Sequence, residues 1–175
     1  MVDLSLHIQD ISENSLHSQA TNIKITILDT NTYYQIVIED NGCGMNEEKV
    51  SQLTNPFFTS RTTRKVGLGV PLFAQTCEQT GGYVHITSKV NQGTTVVGRM
   101  YKNHIDAIPL GDITETIYLL LLNDLGINIQ FIYQHENREP FKLDLAQIKE
   151  ILGDVAITEA SIMKWLKDYI TDGIK

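Results

Sequence analysis

Asp40-Asn-Gly-Cys-Gly-Met45 follows directly on residues 34–38, where apolar and polar side chains alternate as in a half-buried strand. A carboxylate held where a strand ends can accept a hydrogen bond from an exocyclic amine such as that of adenine. The glycines let the backbone approach a flat ring closely. The competing interpretation is an Asn-Gly turn that carries a solvated acid. Asp40, Gly42 and Gly44 are therefore candidate ligand-binding residues that need support from the rest of the chain.

Upstream of this segment, the spacing of Leu4, Ile8 and Ile11 predicts a first helix with one apolar face. Asp10 and Asn14 lie one turn apart on a neighbouring face, so both side chains can point into a pocket beside the sheet. Magnesium prefers oxygen ligands, and an amide oxygen completes its octahedron without adding charge. Asn14 is therefore a candidate magnesium ligand, although such a pair taken alone is more often part of a solvated surface. Residues 23–27 alternate as well, which predicts a hairpin with residues 34–38.

The segment after Met45 predicts a short helix and then a long loop. Asn46-Glu-Glu48 supplies a helix cap and acidic first-turn residues, and the helix is expected to end near Leu53. Residues 55–66 show no clear period, and loops of that length inside a compact domain are usually functional or disordered. The loop contains a basic cluster at residues 61–65, which is usually a solvated feature but here precedes a glycine pair.

The glycine pair, Gly67-Leu-Gly69, opens a helix predicted over residues 70–80. Backbone N–H groups and the positive end of the helix dipole at such a start can bind an anion. Arg61 and Lys65 can reach the same anion through charge-assisted hydrogen bonds. Two glycines at this spacing are weak evidence by themselves, and the adjoining cations strengthen the case for phosphate.

A second hairpin and a C-terminal extension complete the predicted organisation. Strands over residues 83–89 and 94–101 meet at Gly93-Thr94, where the Thr94 hydroxyl can hydrogen-bond Asp40 or an adenine. Further helices are expected at 113–124, 145–152 and 159–170, and a strand at 127–133. We expect two parts, residues 1–102 and 103–175. The second part carries no catalytic motif and is expected either to pack on the core or to bind a partner.

Composition limits the classes of function. The 175 residues are 42% hydrophobic and 20% charged, with a net charge of −7, which argues against nucleic-acid or anionic-lipid partners. Met1-Val-Asp-Leu-Ser does not resemble the start of a secretory signal, and no run of residues is long and apolar enough to span a membrane. A cytoplasmic protein is therefore expected, and Cys43 and Cys77 are expected to be reduced.

The motifs together, in this fixed order, resemble the Bergerat-type ATP-binding domain shared by histidine kinases, Hsp90-like chaperones, the DNA gyrase ATPase and MutL mismatch-repair ATPases. Residues 10–14 resemble its N box, 40–45 its G1 box, 55–60 its F box, 67–69 its G2 box and 93–94 its terminal Gly-Thr motif. The spacing of the later boxes is most similar to histidine kinases, including free-standing bacterial forms. The resemblance implies an α/β sandwich with a mixed, mainly antiparallel sheet packed on one face by helices, and a lid made of residues 46–66.

The resemblance also implies ATP and Mg²⁺ as cofactors and assigns the residues that bind them. The implied ATP contacts are Asn14, Asp40, Gly42, Gly44, Met45, Phe58, Arg61, Lys65, Gly67, Leu68, Gly69 and Thr94, with Asn14 also holding the metal. Asp10 stands where hydrolysing branches carry a glutamate that activates water, and is the candidate catalytic residue. It is one methylene shorter, which puts fast hydrolysis in doubt.

Three functions remain open at this point. A kinase-type module can phosphorylate or control a partner protein in trans, as in the small anti-sigma serine kinases that the architecture resembles. The first helix lies almost at the start of the sequence, so the phosphoacceptor is expected on another protein. A slow ATPase switch would instead close residues 46–66 on ATP. A nucleotide-sensing adaptor would bind without chemistry. A homodimer is compatible with all three.

Overall fold

A computed structural model of the chain describes residues 3–54 and 69–175, which form six helices and six strands. The helices are α1 (Leu4–Leu16), α2 (Glu47–Thr54), α3 (Gly69–Gln79), α4 (Ile113–Leu121), α5 (Leu145–Leu152) and α6 (Ala160–Ile174). The strands are β1 (Asn22–Asp29), β2 (Tyr33–Asp40), β3 (Tyr83–Lys89), β4 (Gly93–Tyr101), β5 (Asn128–His135) and β6 (Phe141–Asp144). None of the helices in these residues is long and apolar enough to cross a membrane.

The strands make one mixed sheet in the order β3-β4-β2-β1-β5-β6. The two predicted hairpins, β1–β2 and β3–β4, are antiparallel, and β2 and β4 join them antiparallel at the centre. β5 lies parallel to β1, with Ile25 opposite Phe131. The predicted mixed, mainly antiparallel sheet is confirmed, because β1–β5 is the parallel pair among the five strand pairings described.

The core lies between the helices and one face of the sheet. Every second residue of β1 is fully buried, at Ile23, Ile25 and Ile27, and this period of two is what leaves the alternate side chains on the opposite face. On the helical side, α1 lies between α3 and α4, and its Leu4 and Ile8 are completely buried. The sequence periods therefore locate the core correctly on both layers.

The C-terminal residues extend this same sheet and core. β5 continues the sheet beyond β1, α4 packs against α1, and Phe131 and Leu143 belong to the same buried cluster as the first hairpin. The sequence patterns missed β6, because four residues directly after Pro140 are too short to show an alternation. The division of the chain predicted at residue 102 stays a prediction.

A carboxylate at the end of β1 ties the extension to the rest of the fold. Asp29 accepts a hydrogen bond from the Tyr133 hydroxyl at 2.8 Å and is paired with the Lys102 ammonium group. His135 lies beside the same carboxylate, with its Nδ1 3.5 Å from Oδ2, while its Nε2 is 2.9 Å from the carbonyl oxygen of Ile174 at the end of α6. The last helix is therefore fastened to the sheet through polar contacts as well as packing.

His7 is an unusual polar side chain in the helical layer, where it is only 1% exposed between α1 and α3. Its Nε2 lies 3.1 Å from Thr76 Oγ1 and its ring lies 5.5 Å from that of Phe73, whereas Nδ1 has no hydrogen-bond partner among the described residues. Burial, helped by the charge of the N-terminus, lowers the pKa of His7 from 6.5 to about 4.

We expect acid to destabilise the protein through His7. Between pH 6.5 and about 4 the unfolded chain binds a proton at His7 that the folded protein does not. The free energy of unfolding should therefore fall as the pH is lowered through this window, by about 3 kcal/mol in full. His7→Met should flatten this part of the pH profile in urea titrations. Equal slopes in wild type and His7→Met would contradict the assignment.

Candidate functional site

A cavity of about 210 Å³ opens between α1, α2 and the ends of β2 and β4. Five of the residues predicted from the sequence lie around it, namely Asn14, Asp40, Gly44, Met45 and Thr94. Apolar side chains from the surrounding elements complete its wall: Ile11, Leu53, Val70, Ile86 and Val96. An apolar cavity with a few converging polar groups is the usual form of a small-molecule site.

The Asp40 carboxylate is the most firmly held polar group of the cavity. Its Oδ2 accepts a hydrogen bond from the buried Ser15 hydroxyl at 2.8 Å, and its Oδ1 accepts one from the backbone N–H of Gly42 at 2.9 Å. The Ser18 hydroxyl lies 3.4 Å from Oδ1 but donates mainly to the Ser15 carbonyl oxygen at 2.7 Å. These bonds fix the carboxylate orientation and still leave lone pairs to accept a ligand donor.

Sequence reasoning missed Ser15 and Ser18, although a signal for them was present. Ile11, Ser15 and Ser18 follow one another at helical spacing, so Ser15 continues the inward face of α1 and Ser18 follows it just beyond the end of the helix. A hydroxyl on an inward face needs a buried partner, and Asp40 supplies it. Ser15 and Ser18 thus link helix α1 to residues 41–45, called here the glycine loop.

The glycines after Asp40 are required because other backbone passes within contact distance. A Cβ on Gly42 would lie 2.5 Å from the Ser18 carbonyl oxygen, and one on Gly44, whose φ is +62°, would lie 2.0 Å from the Lys89 carbonyl oxygen. The loop is further held by Cys43, whose N–H donates to the Ser18 carbonyl oxygen at 2.7 Å. Gly42 therefore lets the loop pack on α1 without lining the cavity itself.

Thr94 lies at the cavity, where its hydroxyl contacts a serine on β3, and its predicted hydrogen bond to Asp40 or adenine stays a prediction. Thr94 is the ladder neighbour of Asp40, yet its Oγ1 lies 2.8 Å from the hydroxyl oxygen of Ser88 on β3. The same Ser88 oxygen accepts a hydrogen bond from the Met45 N–H at 2.8 Å. Ser88, which sequence reasoning also missed, thus connects the end of the glycine loop to the β3–β4 hairpin.

Asp10 lies outside the cavity lining and next to the start of α3. A Cβ on Gly69 would be 2.9 Å from the Asp10 Cβ, so the missing side chain at Gly69 makes room for this aspartate. Loss of hydration there, and secondarily the negative charge of Glu13, raise the pKa of Asp10 above its ordinary value. Asn14, one turn later on α1, is exposed at the edge of the cavity.

The remaining predicted site residues lie outside the described residues. These are Phe58, Arg61, Lys65, Gly67 and Leu68. Of the segment predicted as a lid, the structure describes residues 46–54, in which α2 contributes Leu53 to the cavity wall. The described residues of the site therefore come from the N box, the G1 box and the terminal Gly-Thr motif, together with Gly69.

Comparisons with known proteins show the family. The family described as histidine kinase-, DNA gyrase B- and HSP90-like ATPase matches residues 2–103. The chain is similar to the sensor histidine kinase YvrG of Bacillus subtilis strain 168, at 27% identity over 84 residues, covering 46% of this chain and 14% of that protein. It is also similar to sporulation kinase D of the same strain, at 33% identity over 93 residues, covering 51% of this chain and 18% of that protein. The chain thus spans less than a fifth of the length of these relatives.

A solved structure is similar in fold. The N-terminal domain of a DNA repair protein superposes with a TM-score of 0.58 at 15% identity, covering 81% of this chain and 52% of that chain. This coverage is larger than residues 2–103 can account for, so part of the structural similarity falls in the C-terminal residues. The likeness at this identity concerns the fold alone.

Gly93 provides a test of how tightly the turn beside Asp40 is packed. Its φ is +103°, and a Cβ there would lie 1.9 Å from the Asp40 carbonyl oxygen. Gly81 also has a positive φ, +81°, but a Cβ there would meet no atom within 4 Å. We expect Gly81→Ala to cost about 1–2 kcal/mol of unfolding free energy from the backbone conformation alone.

Gly93→Ala should cost clearly more than Gly81→Ala, because the new methyl group adds a clash with the backbone of Asp40 to a similar conformational strain. Urea unfolding of the two variants measures the difference directly. Similar losses in both would mean that the turn can shift away from Asp40, and that the cavity is less firmly built than these contacts indicate.

Proposed function

The chain belongs to the family of histidine kinase-, DNA gyrase B- and HSP90-like ATPases and is an ATP-binding, histidine-kinase-like module. From that membership we propose that it binds Mg-ATP in the cavity beside Asp40 and controls or phosphorylates a partner protein in trans. The observation that carries this proposal is the Asp40 carboxylate, which is oriented by Ser15 and Gly42 at the wall of an apolar cavity.

Adenine recognition is assigned to Asp40. An ionised carboxylate only accepts hydrogen bonds, and its two short bonds leave it able to accept another from the exocyclic amine of adenine. Guanine carries a carbonyl oxygen at the equivalent ring position, which would face the carboxylate as acceptor against acceptor. The apolar walls from Ile11, Val70 and Val96 suit the faces of a purine ring. The site should therefore prefer ATP to GTP.

The phosphate end is assigned to Asn14, Gly69 and Asp10. Magnesium is usually held by one or two protein oxygen ligands together with phosphates and waters, and the exposed Asn14 amide at the cavity edge fits that role. When bound, the ion would neutralise phosphate charge and align the terminal phosphate. The start of α3 at Gly69 offers backbone N–H groups to the same anion. Arg61 and Lys65 remain proposed contacts.

The proposed reaction is transfer of the terminal phosphoryl group of ATP to a hydroxyl or imidazole group of a partner protein. The bond between the terminal phosphorus and the bridging oxygen breaks, a bond to the acceptor atom forms, ADP leaves, and the acceptor loses a proton. We assign Asp10 to take that proton, because its raised pKa makes it a better base than an ordinary aspartate. We place the protein in the cytoplasm, and the partner is defined only by its phosphoacceptor group.

A nucleotide-sensing adaptor is the second candidate, and the position of Asp10 favours it. The Asp10 carboxylate lies beside Gly69 and not in the cavity lining, so it is poorly positioned to take a proton from a group that attacks the terminal phosphate. A slow ATPase switch stands between the two, since water can replace the protein acceptor in the same reaction. The three differ in what happens to the terminal phosphate after binding.

Asp40→Asn tests the adenine assignment. Isothermal titration of wild type with ATP and magnesium should show binding with one site, and the variant should lose affinity at least tenfold, as expected for a lost charged hydrogen bond of about 1.5–3 kcal/mol. Asp144→Asn is the matched control, because Asp144 also ends a strand and accepts from backbone N–H and side-chain amide groups, far from the cavity. Unchanged ATP affinity in Asp40→Asn would remove Asp40 from the site.

Asn14→Ala and Asp10→Asn separate binding from chemistry. Asn14→Ala should abolish the increase in ATP affinity that magnesium causes in wild type, since the amide ligand is lost.

Asp10→Asn should keep ATP affinity but reduce the rate of ADP release about a hundredfold, which is the smallest loss of rate expected when a general base is removed. Glu13→Gln, on the next turn of the same helix, controls for the charge change. ADP release that is undetectable in wild type, with ATP binding intact, would favour the adaptor.

A further inference from the structure

The face of the sheet opposite the helices carries a row of three apolar side chains and one threonine across four strands, called here the apolar row. The ladder registers place Val97 beside Val37, Val37 beside Thr26, and Thr26 beside Ile132. All four side chains are partly exposed, and they belong to the half of each strand pattern that does not enter the core. Neighbouring apolar side chains on an exposed sheet face are typical of surfaces that bind another protein.

One side of this row carries an arginine held among aromatic rings. The Arg99 guanidinium lies 4.2 Å from the centre of the Tyr33 ring and 5.5 Å from that of Tyr83. It donates two hydrogen bonds to Gln35 Oε1, at 2.7 and 3.2 Å. The ion pairs found among the described residues do not include Arg99, so its charge faces no carboxylate there. Tyrosine and arginine held in this way are the residues most enriched at the energetic centres of interfaces.

The line on the other side of the row contains Glu39, its partner Lys24 and, further along, Asp144, so it carries one negative charge in excess. Glu39 lies two residues beyond Val37 on β2, and its carboxylate is 3.4 Å from the ammonium group of Lys24, with 43% of the Glu39 side chain exposed. Arg99 lies two residues from Val97 in the opposite direction, next to Gln35 on β2. The apolar row therefore separates a line of side chains containing Arg99 from a line containing Glu39.

We propose that this face binds a second copy of the same chain, with a two-fold axis running along the apolar row. Rotation by half a turn about that axis places the apolar rows of the two copies against each other. It also brings the Arg99 line of each copy over the Glu39 line of the other, so that one arrangement makes the charge pair twice. The strands of the two sheets then run close to antiparallel, within the aligned class of sheet packing.

The area available is sufficient for a specific but moderate dimer. Strands β3, β4, β2, β1 and β5 are spaced about 4.8 Å apart, and each places about four side chains on this face, about 6.8 Å apart. These spacings give a footprint of roughly 600–700 Å² on each copy. The total, about 1,300 Å², lies at the lower end of specific interfaces. The nucleotide cavity lies on the helical side of the sheet, so the two copies would leave it open. Dimer formation would therefore not depend on whether the cavity binds ATP.

Charge reversal tests the two-fold arrangement. Sedimentation equilibrium from low micromolar to submillimolar concentration should show wild type in a concentration-dependent monomer–dimer equilibrium without nucleotide. Arg99→Glu and Glu39→Arg should each weaken the dimer about tenfold, because each places like charges opposite one another twice. The double variant should recover wild-type affinity, since the reversed pair can form again between copies. Lys164→Glu, the same charge change on an exposed residue of α6, should have no effect.

Pairing within one copy cannot produce this recovery. Glu39 lies four residues along β2 from Gln35, the ladder neighbour of Arg99, which is a separation of about 13 Å. Thermal unfolding of each variant separates loss of fold from loss of association. A wild type that stays monomeric over the whole range overturns the proposal. So does a double variant that stays as weak as the single ones, because Arg99 and Glu39 would then not face each other between the copies.

Discussion

The hydrogen bond from Ser15 to Asp40 joins the first helix to the end of the central strand, and the geometry of the cavity depends on it. It fixes the carboxylate from the helix side while the Gly42 N–H fixes it from the loop side. Neither oxygen can turn without leaving a buried hydroxyl or a backbone N–H unpaired, which costs about 1–3 kcal/mol. The apolar wall around the carboxylate strengthens this constraint, because water has limited access to replace a lost partner.

The glycine loop is bound to three separate elements by similar short contacts. Cys43 donates to the end of α1, Met45 donates to Ser88 on β3, and Gly93 allows β4 to start against the backbone of Asp40. Each contact uses a backbone group or a small side chain, so the loop is defined by close approach and not by large side chains. A surface of this kind can present a flat, preformed wall to a ligand, with little conformational entropy left to lose on binding.

Much of the fold could be predicted because its periods are regular. The alternation in residues 23–27 and 34–38 predicted the first hairpin, and the glycine after residue 92 marked the second. The parallel pairing of β5 with β1 could not be predicted, since parallel partners are distant in sequence and no local turn chemistry links them. At the site, the order of the motifs indicated the residues that now surround the cavity. Helical spacing carried a signal for Ser15, the partner of Asp40, but Ser88, the partner of Thr94, could not be predicted, because its role appears only once the strands are paired.

The parallel pairing of β1 with β5 also determines how far the chain can be shortened. The family match ends at residue 103, which invites a shortened chain that stops there. Such a chain would uncover the edge of β1, from Asn22 to Asp29, together with the buried face of α1 that α4 covers. An uncovered strand edge can recruit strands from other molecules. In the full chain β5 covers this edge, so removing the residues after the family match would favour aggregation.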